Sequence, residues 1–301
     1  MDGLERLSGL TLCAGLLVAA TAGCAWLNRP SPWTPPPVFT AQPTLEQVIA
    51  AVNANSSRIQ SFATERATLS GPGIPTLRAS IVFQRPRRFR LRGETGLSGP
   101  ELDVGSNDEL FWIWIRRSQP KALYHCRHDQ FAASPVRQSL PIQPDWLIQA
   151  LGVVEFDPAL PHQGPFPLPN GRLQIRTIVD SPLGPSTKVT VVDARTALVL
   201  EQHFYDPQGR LVASAIAQSH RRDPLSGVIM PRVVDIACPR AELSLRVDLG
   251  NVQVNRSQQL PPSLFTMPTY TGWPAVNLCD PALRATPPTA RWQAPQATRL
   301  R

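Results

Sequence analysis

Apolar and polar residues alternate along most of the chain from residue 62 to residue 254, in short runs separated by turn signals such as Gly71-Pro72-Gly73. A period of two is typical of β-strands with one buried face. Because little helical pattern separates these runs, they predict an antiparallel sheet and not a series of βαβ units. The predicted strands are Phe62–Ser70, Thr76–Gln84, Arg88–Arg92, Glu101–Gly105, Glu109–Arg116, Ala122–His128, Arg172–Asp180, Thr187–Asp193, Val199–Tyr205, Leu211–Ser219, Val228–Ile236 and Leu243–Val254.

Two segments have helical periodicity instead. Thr44-Leu45-Glu46-Gln47 has the pattern of a capping box, and apolar residues then recur at helical spacing to about residue 60. A second helix is predicted at Pro144–Leu151, where three apolar side chains share one face. Residues 44–267 are therefore predicted to form one α+β domain.

One predicted strand, Glu109–Ile115, is apolar at every position after its first. On a strand, Trp112 and Trp114 point to one face, while Phe111 and Ile113 point to the other. A sheet with one face in water should alternate, so both faces of this strand are predicted to be covered. The core covers one face. The other face is covered by a helix packed inside the curl of the sheet, by an acyl chain in an open cavity, or by a partner. The helix and the cavity can coexist.

The N-terminal segment has the features of an export signal. No charged residue occurs between Leu7 and Leu27, and the apolar stretch Leu7–Ala20 has the length of a signal-peptide core. It ends in Thr21-Ala22-Gly23-Cys24, which resembles the bacterial lipobox. That resemblance implies cleavage after residue 23 and lipidation of Cys24. The alternative is an uncleaved anchor, since the uncharged stretch can just span a bilayer. Both place the body of the chain outside the cytoplasm.

The composition of the chain limits the classes of partner that it can be expected to bind. Thirty Lys and Arg against 22 Asp and Glu give a net charge of +8, and 33 prolines argue against a helical bundle. A basic chain suits nucleic acid, anionic lipid or an acidic protein. Export favours the membrane, so no nucleic-acid partner is predicted. Residues 24–43 are predicted to be a proline-rich tether, and residues 268–301 a Pro/Arg-rich tail or surface wrapping.

Six arginines without an intervening acid lie between Arg78 and Arg92. Three of them, Arg88, Arg90 and Arg92, fall on one face of a predicted strand. Two interpretations stay open at this point. The arginines form either a solvated outer face or a surface that attracts anionic headgroups or an acidic partner.

The search for catalytic chemistry is negative. The chain contains no Gly-x-Ser-x-Gly, P-loop, Gly-x-Gly-x-x-Gly or His-Glu-x-x-His motif. In His125-Cys126-Arg127-His128, the two histidines point to opposite faces of a strand and cannot share a metal. We expect no enzyme, no metal and no cofactor. Cys126, Cys238 and Cys279 allow one disulfide in an oxidising envelope, and the sequence does not select the pair.

The order of elements is similar to that of the lipoprotein-localisation carriers LolA and LolB. The similarity rests on the first helix followed by Ser61-Phe62, on the strand pair that ends in Val82–Arg90, and on the tryptophan-rich strand. Three later segments look like the closing half of such a fold: Thr187–Asp193, Tyr205–Gly209 and Gly227–Pro231. For residues 44–267 the resemblance implies a curved, incomplete antiparallel β-barrel wrapped over one or two α-helices, with an apolar cavity for acyl chains.

The resemblance also implies roles for individual residues. The side chains expected to line the cavity are Ile81, Phe83, Trp112 and Trp114. Leu97, in the segment Gly93–Asp103, resembles the protruding leucine of LolB and is expected to insert into a membrane. Arg85 resembles the arginine that helps to hold the LolA lid. Together with Arg88 and Arg90, it is expected to contact a lid or lipid headgroups.

These expectations combine into one predicted function. The chain is expected to be a monomeric envelope lipoprotein that binds the acyl chains of lipoproteins or other lipids and transfers them to a membrane. LolB is the closer relative because it too is lipidated. Ala25, in place of an aspartate after Cys24, favours the outer membrane, facing the periplasm. The alternative is a structural or adaptor lipoprotein that docks an envelope protein through its basic face, without lipid transfer.

Overall fold

The computed structural model describes residues 33–96, 98–134, 144–179, 184–256 and 260–280. The chain divides into two units, Met1–Pro36 and Pro37–Arg301. In the first unit, residues 33–36 are described and have no regular secondary structure. The predicted signal peptide, Cys24, Leu97 and most of the predicted tether lie outside the described residues.

The second unit consists mainly of short strands. Its helices are α1 (Leu45–Ser56), α2 (His128–Ala133) and α3 (Pro144–Ala150), with 3₁₀ turns at Pro239–Ala241 and Pro262–Phe265. The first strands are β1 (Ser61–Gly71), β2 (Ile74–Gln84), β3 (Arg88–Thr95), β4 (Gly99–Ser106), β5 (Leu110–Ile115) and β6 (Leu123–Arg127). After α3 come β7 (His162–Leu168), β8 (Arg172–Val179), β9 (Ser186–Asp193), β10 (Val199–Tyr205), β11 (Leu211–Gln218), β12 (Arg221–Arg222), β13 (Ile229–Met230), β14 (Val233–Cys238), β15 (Leu243–Asp248), β16 (Gln253–Val254) and β17 (Ala275–Asn277).

Fifteen of these strands form one sheet, in the order β17-β6-β5-β4-β3-β2-β1-β15-β14-β11-β10-β9-β8-β7, with β16 added to β1. Neighbouring strands are antiparallel, except that β17 pairs parallel with β6. Strands β12 and β13 form a separate hairpin. Within the described residues the path ends at β17 and β7 and does not close. The predicted large antiparallel sheet with few short helices is confirmed, while its curvature into an incomplete barrel remains a prediction.

Helix α1 begins where the capping box predicts. The backbone N–H of Gln47 donates to Thr44 Oγ1 (3.3 Å), and the N–H of Thr44 donates to Gln47 Oε1 (2.9 Å). These bonds satisfy two donors that a helix N-terminus otherwise leaves unpaired. The helix ends at Ser56, before the predicted residue 60, because Ile59 leaves the helical path and is fully buried in the core. The second predicted helix is confirmed at Pro144–Ala150.

Strand β7 has no counterpart in the predicted strands. Its prolines, Pro165 and Pro167, cannot donate ladder hydrogen bonds, so the sequence pattern does not indicate a strand there. The structure accommodates them because β7 lies at one end of the strand order and pairs with β8. Edge strands are where sheets tolerate proline.

The helices pack on one face of the sheet. In the first half of the sheet this face carries Phe62, Ile81 and Phe83. These side chains belong to one apolar cluster with Leu147 of α3 and with Leu151, the residue that follows α3. In the second half, Val48 and Val52 of α1 pack in a cluster with three residues of β8 and β9: Leu173, Ile175 and Val192. This face therefore contains the main core.

The opposite face of strands β4 to β6 is covered by the C-terminal segment, residues 260–280. Met267, Tyr270 and Trp273 pack against Trp112 and Trp114 there. The segment then forms β17 beside β6. The predicted domain boundary at residue 267 is therefore too early, because the first part of the predicted tail, to residue 280, belongs to the sheet.

Candidate functional site

The predicted cavity residues lie on two different faces. Trp112 is opposite Gly105 in the ladder and Trp114 is opposite Asp103, on the face away from the helices. Ile81 and Phe83 point to the helical face and are fully buried. The expectation that these four side chains line one cavity is therefore corrected, because the two-residue period of each strand places them on opposite sides.

Other side chains of the protein pack against both pairs of predicted cavity residues. Phe83 packs against Phe62, with 5.5 Å between ring centroids, in the cluster that includes α3. Trp114 stacks on Tyr270 at 3.9 Å between ring centroids and meets Trp273 edge-on at 5.6 Å. Among the residues that the structure describes, the chain's own C-terminal segment covers the tryptophan face. The sequence did not indicate this cover, since strand patterns carry no information about a distant segment.

A buried carboxylate holds the C-terminal segment on the tryptophan face. Asp103 is fully buried and accepts hydrogen bonds from Trp112 Nε1 (3.0 Å), Tyr270 Oη (2.7 Å) and the guanidinium of Arg90 (2.8 and 3.2 Å). Arg90 also donates to the carbonyl of Leu264 (3.0 Å). Burial and, after it, the hydrogen bond to Asp103 raise the pKa of Tyr270, so its hydroxyl stays a donor.

A glycine makes room for the Trp112 ring. A Cβ at Gly105 would lie 2.1 Å from Trp112 Cζ2, far inside van der Waals contact, and Trp112 is fully buried. Gly105→Ala is therefore expected to lower the free energy of unfolding by about 1–3 kcal/mol through overpacking. Urea unfolding followed by tryptophan fluorescence measures this change.

The matched control for that substitution is Gly96→Ala. A Cβ at Gly96 meets no described atom within 4 Å, so the free energy of unfolding should change by less than about 0.5 kcal/mol. Equal losses at the two glycines would contradict the assigned contact between Gly105 and the Trp112 ring.

The three arginines expected to contact headgroups are all paired within the chain. Arg85 binds Glu155 (2.7 Å) and donates to the carbonyls of Ser56 and Ile59, both at 2.7 Å, which ties β2 to the end of α1. Arg88 binds Asp108 (2.5 Å). Arg90 binds Asp103, as described above. These three charges are therefore paired within the chain, while the basic-face interpretation, which also includes Arg78, Arg87 and Arg92, stays a prediction.

The histidine and cysteine segment is structural. Cys126 of β6 forms a disulfide with Cys279, two residues after β17, and Cys238 is a buried free thiol. This settles the pair that the sequence left open. His128 Nε2 lies 2.9 Å from the carbonyl oxygen of Asn107. Among the residues that the structure describes, no group of His, Cys, Asp and Glu could hold a metal ion.

An apolar cavity of about 470 Å³ lies between α1 and the second half of the sheet. Small-molecule sites typically have volumes of about 300–1,000 Å³. The wall on the helix side and the wall on the sheet side are both made largely of small apolar residues. Representative lining residues are Ala51, Val52, Ala150, Val199, Ala217 and Ile229. This apolar cavity is the candidate functional site.

The polar groups of the apolar cavity are few. Gln202 donates from Nε2 to the carbonyl of Gln149 (2.9 Å), while its buried Oε1 has no hydrogen-bond partner among the described residues. Asn55 binds both the N–H (2.9 Å) and the carbonyl (2.8 Å) of Ile229, joining α1 to β13. Burial lowers the pKa of His220, so its ring is neutral at neutral pH. Apart from Arg58, the described residues that line the cavity are uncharged, so the cavity suits a mainly apolar ligand.

The sequence analysis missed the residues of the apolar cavity. Their signal is a set of small residues, namely Ala51 and Ala54 of α1 and Ala217 of β11. In a sequence pattern these alanines cannot be told apart from other core residues, because apolar periodicity does not report side-chain volume.

Within the described part of the chain, no helix is long and apolar enough to cross a membrane.

Comparison with solved structures finds several matches, each with a TM-score below 0.5. A LolA superfamily protein from Nitrosomonas europaea matches with a TM-score of 0.48 at 11% identity, covering 75% of this chain and 98% of that one. A DUF1329 family protein from Desulfovibrio piger has a TM-score of 0.48 at 15% identity, covering 72% and 97%. A Vibrio parahaemolyticus domain named for outer membrane lipoprotein sorting has a TM-score of 0.48 at 13% identity, covering 72% and 95%.

No protein-family model and no curated protein sequence matches the chain. A LolA superfamily protein is among the structural matches. The closer likeness to LolB stays a prediction.

Proposed function

We propose that the chain is an envelope lipoprotein that binds the acyl chain of a lipid or lipoprotein in the apolar cavity and passes it to a membrane. The observation that supports this most is the cavity of about 470 Å³ between α1 and strands β10 and β11, with its small apolar lining residues. Most of its lining residues are apolar and Arg58 is the single charged one among those described, which favours a ligand that is mainly hydrocarbon.

The hydrophobic effect is sufficient for this function. Each methylene moved from water into an apolar site contributes ~0.8 kcal/mol, so ten methylenes contribute on the order of 8 kcal/mol before the costs of association. Binding and release need no covalent step. The protein is therefore proposed to be a carrier and not an enzyme.

Two parts of the proposal depend on the sequence. Cys24 is proposed to carry the lipid anchor that holds the protein at the outer membrane, facing the periplasm. The proline-rich residues that follow would act as a spacer on the order of 50 Å long, at ~3.1 Å per residue. Leu97 is proposed to insert into the target membrane when the acyl chain is released.

Filling the apolar cavity should abolish acyl binding. Ala51 lies on α1 and lines the cavity, so Ala51→Trp places an indole in the space that a chain would occupy. We expect the affinity of the full chain for a fluorescent fatty acid to fall at least about tenfold, since a few methylenes lose their contacts. Fluorescence titration of the delipidated protein measures the change.

Ala50→Trp is the matched control, because Ala50 is the neighbouring residue of the same helix and is exposed to solvent. This variant should bind the fatty acid as the unchanged protein does. If the unchanged protein binds no fatty acid, or if both variants bind it equally well, the proposed function fails.

A further inference from the structure

A second groove, of about 620 Å³, lies beside the hairpin of β12 and β13, and arginines dominate its charge. We call it the arginine groove. Its charged lining residues are Arg221, Arg222, Asp223, Arg232 and Arg256. None of these arginines belongs to the arginine-rich segment that the sequence analysis singled out.

Two of the four arginines are neutralised within the chain. Arg232 binds Asp248 (3.1 Å) and Arg256 binds Asp223 (3.3 Å). Arg221 and Arg222 are exposed, and neither has a carboxylate within ion-pair distance among the described residues. The arginine groove therefore keeps two positive charges, in contrast to the paired arginines of β3.

A third guanidinium, that of Arg58, reaches the same place from the turn after α1. Nη2 of Arg222 and Nη1 of Arg58 lie 3.2 and 3.6 Å from one point, the position that a Cβ of Gly227 would occupy. Arg58 is held there by the carbonyl of Ala54 (3.2 Å) and by Asn55 Oδ1 (3.4 Å), both neutral acceptors. Two like charges this close repel each other, and an anion between them relieves the repulsion.

The arginine groove adjoins the apolar cavity. Pro231 lines both spaces, Ile229 of the hairpin faces the cavity, and the next residue, Met230, faces the groove. Arg58 itself lines the cavity. A ligand with a hydrocarbon chain in the cavity would therefore place its polar end beside Arg58 and Arg222.

We propose that the arginine groove binds the phosphate of an anionic lipid headgroup while the lipid's acyl chain occupies the apolar cavity. This inference rests on the proposed function and names the class of its ligand. Arginine suits phosphate because its planar fork donates two hydrogen bonds to two oxygens at once. A zwitterionic headgroup keeps the phosphate but adds a cation, which the three arginines repel.

Short-chain lipids that stay monomeric test the inference without a membrane. The full, delipidated chain is titrated with dihexanoyl-phosphatidylglycerol and dihexanoyl-phosphatidylcholine, each displacing the fluorescent fatty acid. We expect the phosphatidylglycerol to bind about tenfold more tightly, because only the phosphatidylcholine carries a cation that the arginines repel. Arg221→Gln/Arg222→Gln should weaken this preference, since it removes two of the three arginines.

Arg66→Gln/Arg78→Gln is the control, since it removes the same charge from two exposed arginines of β1 and β2. It should keep the preference. Equal binding of the two lipids by a protein that takes up the fatty acid would overturn the headgroup assignment alone. Glycerophosphoglycerol binding as tightly as the lipid would make the groove a site for free phosphate esters and overturn the lipid assignment. Failure to bind the fatty acid would overturn the proposed function itself.

Discussion

Asp103→Ala is expected to lower the free energy of unfolding by about 3–5 kcal/mol. The substitution leaves Arg90, whose side chain is 14% exposed, without its carboxylate, and it removes the acceptor of Trp112 Nε1 and Tyr270 Oη. A buried charge that loses its partner is costly because neither water nor another acceptor replaces the lost interactions. Urea unfolding followed by tryptophan fluorescence measures the loss.

Asp108→Ala is the control for that substitution, because Asp108 forms an ion pair with Arg88 in which both side chains are more than a third exposed. Such a pair contributes less than about 1 kcal/mol. If Asp103→Ala also lowers the free energy of unfolding by less than about 1 kcal/mol, the buried carboxylate does not hold the C-terminal segment on the sheet.

Removal of the disulfide between Cys126 and Cys279 should have the second large effect. The bond closes a loop of 153 residues and fixes the segment after β17 to β6. Cys126→Ser/Cys279→Ser is expected to lower the free energy of unfolding by about 2–4 kcal/mol, because the unfolded chain regains the freedom that the cross-link removes. Chemical denaturation of the oxidised protein and of the double variant gives the difference.

The free thiol supplies an internal control. Burial raises the pKa of Cys238 to about 12, so this thiol should react with iodoacetamide only after unfolding. Peptide mapping without reduction should recover Cys126 linked to Cys279. A link from Cys238 to either of them would contradict the assigned pairing.

Local sequence pattern predicted the local parts of the fold. The capping box at Thr44 predicted the start of α1. Alternation predicted that Phe89 and Leu91 of β3 are buried and that Arg88 and Arg90 point to the other face. These features depend on residues a few positions apart, which a single sequence contains in full.

Features that depend on distant residues were not predictable in the same way. Alternation in β3 could not show that the outward Arg90 meets Asp103 of β4 and the carbonyl of Leu264, since both contacts depend on tertiary packing. The parallel addition of β17 to β6 joins segments far apart in the chain, and the prolines of the C-terminal segment suggested a tail. The tryptophans therefore looked like cavity residues when they are in fact covered by Tyr270 and Trp273.

The location of a bound acyl chain tests the central claim most directly. A fatty acid with a diazirine at its methyl end is bound to the full chain, photolysed, and its cross-links are mapped by peptide mass spectrometry. The account predicts cross-links in α1 (Leu45–Ser56) and in residues 196–202 at the start of β10, both of which line the apolar cavity. Cross-links confined to β5, around Trp112 and Trp114, or spread evenly over the surface would contradict it.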